Sequence, residues 1–183
     1  DNEWNDCINP ELGRKFWFSE LYKFEENWRS TPDIKYQNTQ NENFSWIQNK
    51  VLIIGLNLVN GRIIDQEKWD FRLKQNAEWV QTHILKNEKS INAAIIFGHS
   101  SIKNKKNINF NEFFIKMAQS FKKPILYMNG DEHRWRVRKP FPKKAPNVTQ
   151  IVLKGGIYSP ILITVNMKDK YDEPFKINTI SLK

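Results

Sequence analysis

One cysteine, Cys7, stands in 183 residues. A single thiol excludes an internal disulfide framework and a thiolate zinc cluster, leaving only pairing with a partner outside these residues. Apolar runs are short: none approaches the ~18–20 residues a helix needs to cross a bilayer, so no transmembrane segment is expected. The chain begins at Asp1 with neither Met nor a basic, then apolar leader. A secretory or periplasmic address is therefore neither read nor excluded. Internal repeats and a second-domain boundary are absent. So is the Gly-x-Ser-x-Gly elbow that exposes a nucleophilic serine. Acidic charge is the scarcer sign, with 20 Asp and Glu against 29 Lys and Arg, a formal net charge of +9.

What is present is enough for one domain with a core. Hydrophobic residues make up 39%, including seven Trp and twelve Phe, which argues against disorder. The excess of base invites a nucleic-acid reading. Lys, Asn and Ile are abundant along the whole chain, however, so the charge is equally well a compositional bias. The densest basic run, Arg134-Trp135-Arg136-Val137-Arg138-Lys139, alternates charge with Trp and Val as a half-buried strand does. Starting one residue past His133, it suits an anionic substrate such as a phosphate ester as well as it suits a nucleic acid.

Periodicity orders the chain. Residues 11–26 read as a helix capped by Asn9-Pro10, with Phe16, Trp17, Leu21 and Phe24 on its apolar side. A polar stretch, 27–43, crosses the surface as a loop. A short strand over 44–47 turns at Asn49-Lys50 into the apolar run 51–56, the first buried strand. Helical spacing returns over 68–86, with Asp65 as its cap. Strand 93–97 follows, then a lysine-rich loop over 102–107. A third helix carries Phe110, Phe113, Phe114, Met117 and Phe121, with Asn109 and Glu112 resembling a capping box. Strand 125–128 comes next. Beyond Pro146 the segments 148–153, 157–165 and 175–181 read as antiparallel strands, with turns at Gly155-Gly156 and Lys168-Asp169. The pattern predicts a layered α/β fold with a β-rich flank.

Two strands end alike. Residues 93–99, Ala-Ala-Ile-Ile-Phe-Gly-His, are an apolar run, a glycine and a ligand, and 125–133 repeat the arrangement as Gly130-Asp131-Glu132-His133. Strand ends of this kind deliver side chains to the carboxyl edge of an α/β sheet, where ligands bind. An aspartate there is costly unless something pairs with it. A divalent cation held by His99, Asp131 and His133 is one answer; a turn aspartate paired with Arg134 or Arg136 is the other. Glu132 is expected to face solvent, and His83, on a surface helix, is given no role.

These motifs, with Asp1-Asn2-Glu3-Trp4-Asn5-Asp6-Cys7, resemble the later motifs of the calcineurin-like metallophosphoesterases. The likeness is greatest to a bacterial branch distantly related to purple acid phosphatases. The superfamily carries Gly-Asn-His-Glu, then a strand-end His, then Gly-His-x-His. In that branch the first becomes Gly-Asp-Asn-Glu-Trp and the last Gly-Asp-x-His. The Val59-Asn60-Gly61-Arg62 loop, the 76–79 helix segment and the basic strand after His133 fall in the matching order.

The resemblance implies a layered, metallophosphoesterase-like β-sandwich with flanking helices. It also implies a site for two divalent ions (Mn, Fe, Zn or Mg). Asp1, His99 and Asp131 would be ligands of one metal and His133 of the other. Asn2 would stand where the family keeps the His that protonates the leaving group, a step an amide cannot perform. Asp131 in place of a His hardens the site toward Mn²⁺, Mg²⁺ or Ca²⁺. Asn60, Arg62, Arg134 and Arg136, with Arg138, are expected phosphate contacts. The family's first two motifs, Asp-x-His and Gly-Asp-x-x-(Tyr/Asp), have no counterpart here. The chain is therefore expected to be the C-terminal portion of a longer hydrolase, with weak metal binding and little turnover by itself. The rival expectation is a non-catalytic descendant that binds a polyanion, such as nucleic acid, through its basic face.

Overall fold

Val51–Gly55 (β3) is apolar at every side chain, as a strand covered on both faces must be. The structure is a computed structural model, and it describes residues 4, 6–29, 31–156, 158–166 and 174–180. It is a mixed α/β fold. The helices are Pro10–Glu20 (α1), Gln66–Asn87 (α2) and Ile108–Phe121 (α3). The other strands are Lys35–Tyr36 (β1), Phe44–Gln48 (β2), Ala93–Phe97 (β4), Ile125–Asn129 (β5), Arg136–Arg138 (β6), Val148–Val152 (β7), Ile161–Val165 (β8) and Phe175–Thr179 (β9). The first seven form one sheet in the order β1-β2-β3-β4-β5-β7-β6, and β8 and β9 form a separate antiparallel ribbon.

Within the large sheet β3, β4, β5 and β7 run parallel, so all four present their carboxyl ends along one edge. Alternation divides the side chains between two cores. Leu52, Ile54, Ala94, Ile96, Ile125, Tyr127 and Val148 pack with Trp69, Leu73, Val80 and Ile84 of α2 and with Phe110, Phe114 and Phe121 of α3. Val51, Ala93, Ile95, Leu126, Met128 and Ile151 face the other way. They meet Ile161, Ile163 and Val165 of β8 and Phe175 and Ile177 of β9. Each fully buried Leu or Ile contributes about 1.5–3 kcal/mol, so this two-sided burial holds the parallel strands and fixes their register.

The β2–β3 hairpin turns at Asn49 and Lys50, both at positive φ (49° and 63°), the conformation that a two-residue primed turn requires. It sets Phe44 directly across from Gly55. A β-carbon at Gly55 would lie 2.2 Å from Cζ of Phe44, so the ring occupies the space the glycine leaves open. Replacing Gly55 by alanine must displace it. The expected loss is about 1–3 kcal/mol, the usual range for overpacking, and it is read from the midpoint of urea unfolding.

Four sequence expectations are corrected, the first being that 27–43 crosses the surface as a loop: it supplies β1, and Gln37 and Asn43 within it are buried. The first helix ends at Glu20 rather than Glu26, and a short 3₁₀ turn, Phe24–Asn27, follows. Lys23, at φ 56°, breaks the run, and Tyr22 is drawn onto Tyr36 with ring centroids 5.2 Å apart. Phe16, Leu21 and Phe24 are exposed, and of the expected apolar side only Trp17 is half-buried, edge-on against the buried Trp4 with ring centroids 5.7 Å apart. The start of α3 lies at Asn107–Ile108, not at an Asn109/Glu112 box. A 3₁₀ turn, Lys105–Asn107, precedes it, with the Asn104 side chain accepting from the Lys106 N–H. Finally, 148–152 joins the sheet parallel to β5 and antiparallel only to β6. The Asp65 cap is as expected, its carboxylate accepting from the Lys68 N–H at 3.0 Å. The turn expected at Lys168-Asp169 lies outside the described residues. Among those described, no helix is long and apolar enough to cross a membrane.

Candidate metal and phosphate site

Four loops leave the shared carboxyl edge, and each brings one element of the site. Past β3 the chain runs through Leu56 and Asn57 to Asn60. β4 is followed by Gly98 and His99, β5 by Gly130 and Asp131, and β7 by Leu153 and Gly155. The sheet ladder continues beyond the strands and aligns these loops. Leu56 N–H donates to Phe97 O (2.9 Å), Gly98 N–H to Met128 O (3.0 Å), and Leu153 N–H to Asn129 O (2.8 Å). Asp131 N–H donates to His99 O at 3.1 Å, which clamps the two turns together. A β-carbon at Gly98 would stand 2.5 Å from the Tyr127 hydroxyl, which donates to Ser100 O at 2.6 Å. Glycine is therefore needed before His99 for the turn to close over the buried phenol, whose ionisation burial pushes far up.

His99 and Asp131 meet. Nε2 of His99 faces Oδ1 of Asp131 at 3.7 Å, beyond hydrogen-bond reach. The other carboxylate oxygen, Oδ2, accepts from Nδ2 of Asn60 at 3.0 Å. Because a carboxylate accepts, Asn60 must present its nitrogen there, leaving its Oδ1 to accept from Asn104 Nδ2 at 2.8 Å. Asn104 also donates to Ser100 Oγ (3.0 Å), and Asn107 donates to the same hydroxyl (3.1 Å) and to Val59 O (3.0 Å). Ser100 is thus fully buried and bound by two amides, an arrangement unlike an activated nucleophile. The Asn104–Asn60–Asp131 relay orients the carboxylate so that Oδ1 points to the imidazole, as outer partners do around metal ligands.

A second amide cluster lies beneath. Asn43 Nδ2 donates to Gln37 Oε1 (2.7 Å) and Asn76 Oδ1 (2.8 Å), and Asn43 Oδ1 accepts from Asn57 N–H at 2.7 Å. Asn76 Nδ2 closes the ring on Asn57 O at 2.9 Å. This cluster ties the loop carrying Asn60 to α2 and to the turn before β2.

The remaining expected residues are less converged. His133 follows Asp131 by two residues, at φ 49° and exposed, with its N–H donating to Gly130 O. Its ring lies against Gly155, where a β-carbon would come 3.3 Å from Nδ1. Arg134 is exposed. Arg136 is turned to Glu132, Nη1 to Oε2 at 3.1 Å, and Arg138 approaches the same carboxylate at 3.7 Å. Glu132 is therefore half-buried between two guanidiniums, which corrects the expectation that it faces solvent. Arg62 donates to Asp6 from both its N–H and Nε (3.2 and 3.3 Å), and the backbone donation foremost holds the Asp6 carboxyl below its usual range. Asp1 and Asn2 lie outside the described residues.

One imidazole and one carboxylate oxygen face each other at a separation close to that of two ligands each about 2.0–2.2 Å from one ion. Among the described residues no three His, Cys, Asp or Glu side chains gather. The pair fits as part of a coordination shell, and a full shell needs donors beyond it. Beside the pair opens a cleft of about 310 Å³, lined by Phe44, Phe97, Met128 and Leu153 as well as His99 and Gly130.

Burial lowers the pKa of His99, against an upward pull from Asp131, and burial likewise lowers that of His83, which sits on Trp79 beside Ser45. Both imidazoles take up protons more readily in the unfolded chain. Their contribution to stability is present above the ordinary histidine pKa of about 6.5 and is lost as pH falls through the lowered folded values. The urea midpoint is expected to drop between neutral pH and about pH 5, with a shallower drop when both histidines are replaced by glutamine. An equal slope in that variant would rule the histidines out as its source.

Comparison with protein-family models, with the curated proteins and with solved structures finds no match.

Proposed function

We propose that this chain carries part of a metal-dependent phosphoesterase site of the calcineurin-like type. The observation that carries this reading is the meeting of His99 and Asp131 from adjacent parallel strand tips, with Asn60 orienting the carboxylate. In support stands the order of layers, with helices α2 and α3 on one face of the mixed sheet and the β8–β9 ribbon on the other, an arrangement compatible with a layered α/β fold.

His99 and Asp131 would hold one divalent ion, with Asp1 as a further ligand and His133 serving the second. A metal bound there supplies Lewis acidity, activating water and neutralising charge on the phosphate. The chain's own residues do the rest. Burial disfavours the protonated form of the His99 imidazole, the form that cannot bind a metal. Asn60 engages Oδ2 of Asp131 and leaves Oδ1 for the ion. Arg134, exposed at the turn, is the guanidinium best free to meet a phosphate, because Glu132 occupies Arg136. Asn2, which would stand in the position of the family's proton donor, cannot supply a proton, so that step would pass to water or another side chain.

The test is manganese binding by electron paramagnetic resonance, alongside hydrolysis of bis(p-nitrophenyl) phosphate with and without EDTA. Saturable Mn²⁺ binding with EDTA-sensitive turnover, however slow, is the expected result. No binding at millimolar Mn²⁺ would sink the proposal. A second reading, a polyanion-binding protein without catalysis, is favoured by the exposed Lys103, Lys105 and Arg134 on loops leaving the same edge. It predicts salt-sensitive nucleic-acid binding that ignores both metal and Asp131.

A further inference from the structure

A second pocket, of about 600 Å³, lies beside the His133 turn and shares Leu153 with the cleft at His99. Its volume is in the range of small-molecule sites, about 300–1,000 Å³. Trp135 and Tyr158 line it and are 40% and 52% exposed, respectively. Large aromatic side chains left this open, on loops rather than in a core, offer ring faces to a ligand. Gly155 and Gly156 form its floor, and the turn is closed by Tyr158 N–H donating to Gly155 O at 3.3 Å. Gly155, at φ 109°, is held in a conformation that disfavours other residues, and its bare α-carbon lets the His133 imidazole lie against the pocket wall. Lys154 completes the setting: its Nζ lies over the Tyr158 ring, 4.9 Å from the centroid, and covers one face, so the Trp135 indole is the principal stacking surface. Aromatic rings and a cation at the rim complement a planar ring joined to an anion.

We propose that Trp135 and Tyr158 form a stacking site for the aromatic part of a phosphate ester, a nucleobase or an aryl group, with Lys154 beside its negative charge. This rests on the phosphoesterase reading for where the phosphate goes, toward His133 and the strand tips, but not for the ring itself. The ester class is thus one whose organic group is flat and aromatic, rather than a sugar phosphate or a lipid.

Calorimetry in EDTA separates the two questions, because it needs neither metal nor turnover. Adenosine 5′-monophosphate is expected to bind at least about tenfold more tightly than ribose 5-phosphate, the scale that one stacked base contributes. Trp135→Ala should erase that preference, while Trp135→Phe should retain it to within about threefold, since a smaller ring still stacks. Trp135 is exposed and precedes β6, so its loss leaves the sheet intact. Preference for p-nitrophenyl phosphate over the nucleotide would assign the ring to aryl esters, and the reverse order to nucleotides. Equal binding of adenosine monophosphate and ribose 5-phosphate, no binding of either, or a preference that survives Trp135→Ala overturns the stacking site. Ring-dependent binding without Mn²⁺-dependent hydrolysis would retain the stacking site and reject the phosphoesterase.

Discussion

An Asn43→Ala protein is expected to be less stable by about 3–5 kcal/mol, a large share of the 5–15 kcal/mol that holds a domain together. Asn43 is wholly buried, and its side chain serves three partners: Gln37 Oε1, Asn76 Oδ1 and the Asn57 N–H. Alanine removes all three bonds at once and returns none of those groups to solvent. Each buried polar group deprived of its partner costs roughly 1–3 kcal/mol. Water entering the vacated space offsets part of the sum, which is why the lower half of the additive range is expected. Urea unfolding measures the difference directly. Asn109→Ala, at an exposed position of α3, is the comparison and should change stability by less than about 0.5 kcal/mol. A loss below about 1 kcal/mol for Asn43→Ala would mean that the amide cluster does not hold this loop. The loss has a functional side, since the loop tied down by Asn57 carries Asn60 to Asp131.

The second large effect is on metal affinity. Asp131→Asn is expected to weaken Mn²⁺ binding by about a hundredfold while leaving the urea midpoint nearly unchanged. The substitution keeps shape and volume, and an amide oxygen can still accept from Asn60 Nδ2. What it removes is the charge, at the position where Oδ1 faces His99 Nε2 at 3.7 Å. Loss of an outer partner of a metal ligand already costs 10–100-fold in affinity, and loss of the ligand's own charge belongs at the upper end. Asn60→Ala should fall lower in that range, about tenfold, because it frees the carboxylate to turn without neutralising it. The order matters more than either value. If Asn60→Ala weakened binding more than Asp131→Asn, the amide rather than the carboxylate would be the ligand. If neither did, the His99–Asp131 pair would be structural.

Much of this arrangement was legible before folding. The strand 93–97 ends where its apolar run ends, because a run without polar interruption must be covered on both faces and stops where the glycine lets the chain turn. Pairing His99 with the Asp131 turn followed from the same logic applied twice. The bonding of the asparagines was not legible: Asn60 was expected as a phosphate contact, whereas its amide is bonded to Asp131 and Asn104. Asn43, Asn57, Asn60, Asn76 and Asn104 sit in a sequence rich in Asn throughout, and an amide gives no periodic signal of its own. Each becomes informative only when a strand tip, a helix face and a loop bring its partners within about 3 Å. Glu132 misled for a related reason: its neighbours Arg136 and Arg138 reach back across the turn only once β6 pairs with β7.

Local order along the chain was enough to place most of the helices and strands, though not all their ends, and the convergence of glycine-terminated strands on one edge, since burial acts on each residue according to its position in a repeating backbone. Which strand lies beside which, that 148–152 runs parallel to β5, and which oxygen of Asp131 Asn60 engages were decided only by the closed fold. Hydrogen bonds between groups dozens of residues apart depend on distances that no stretch of sequence contains until packing has set them.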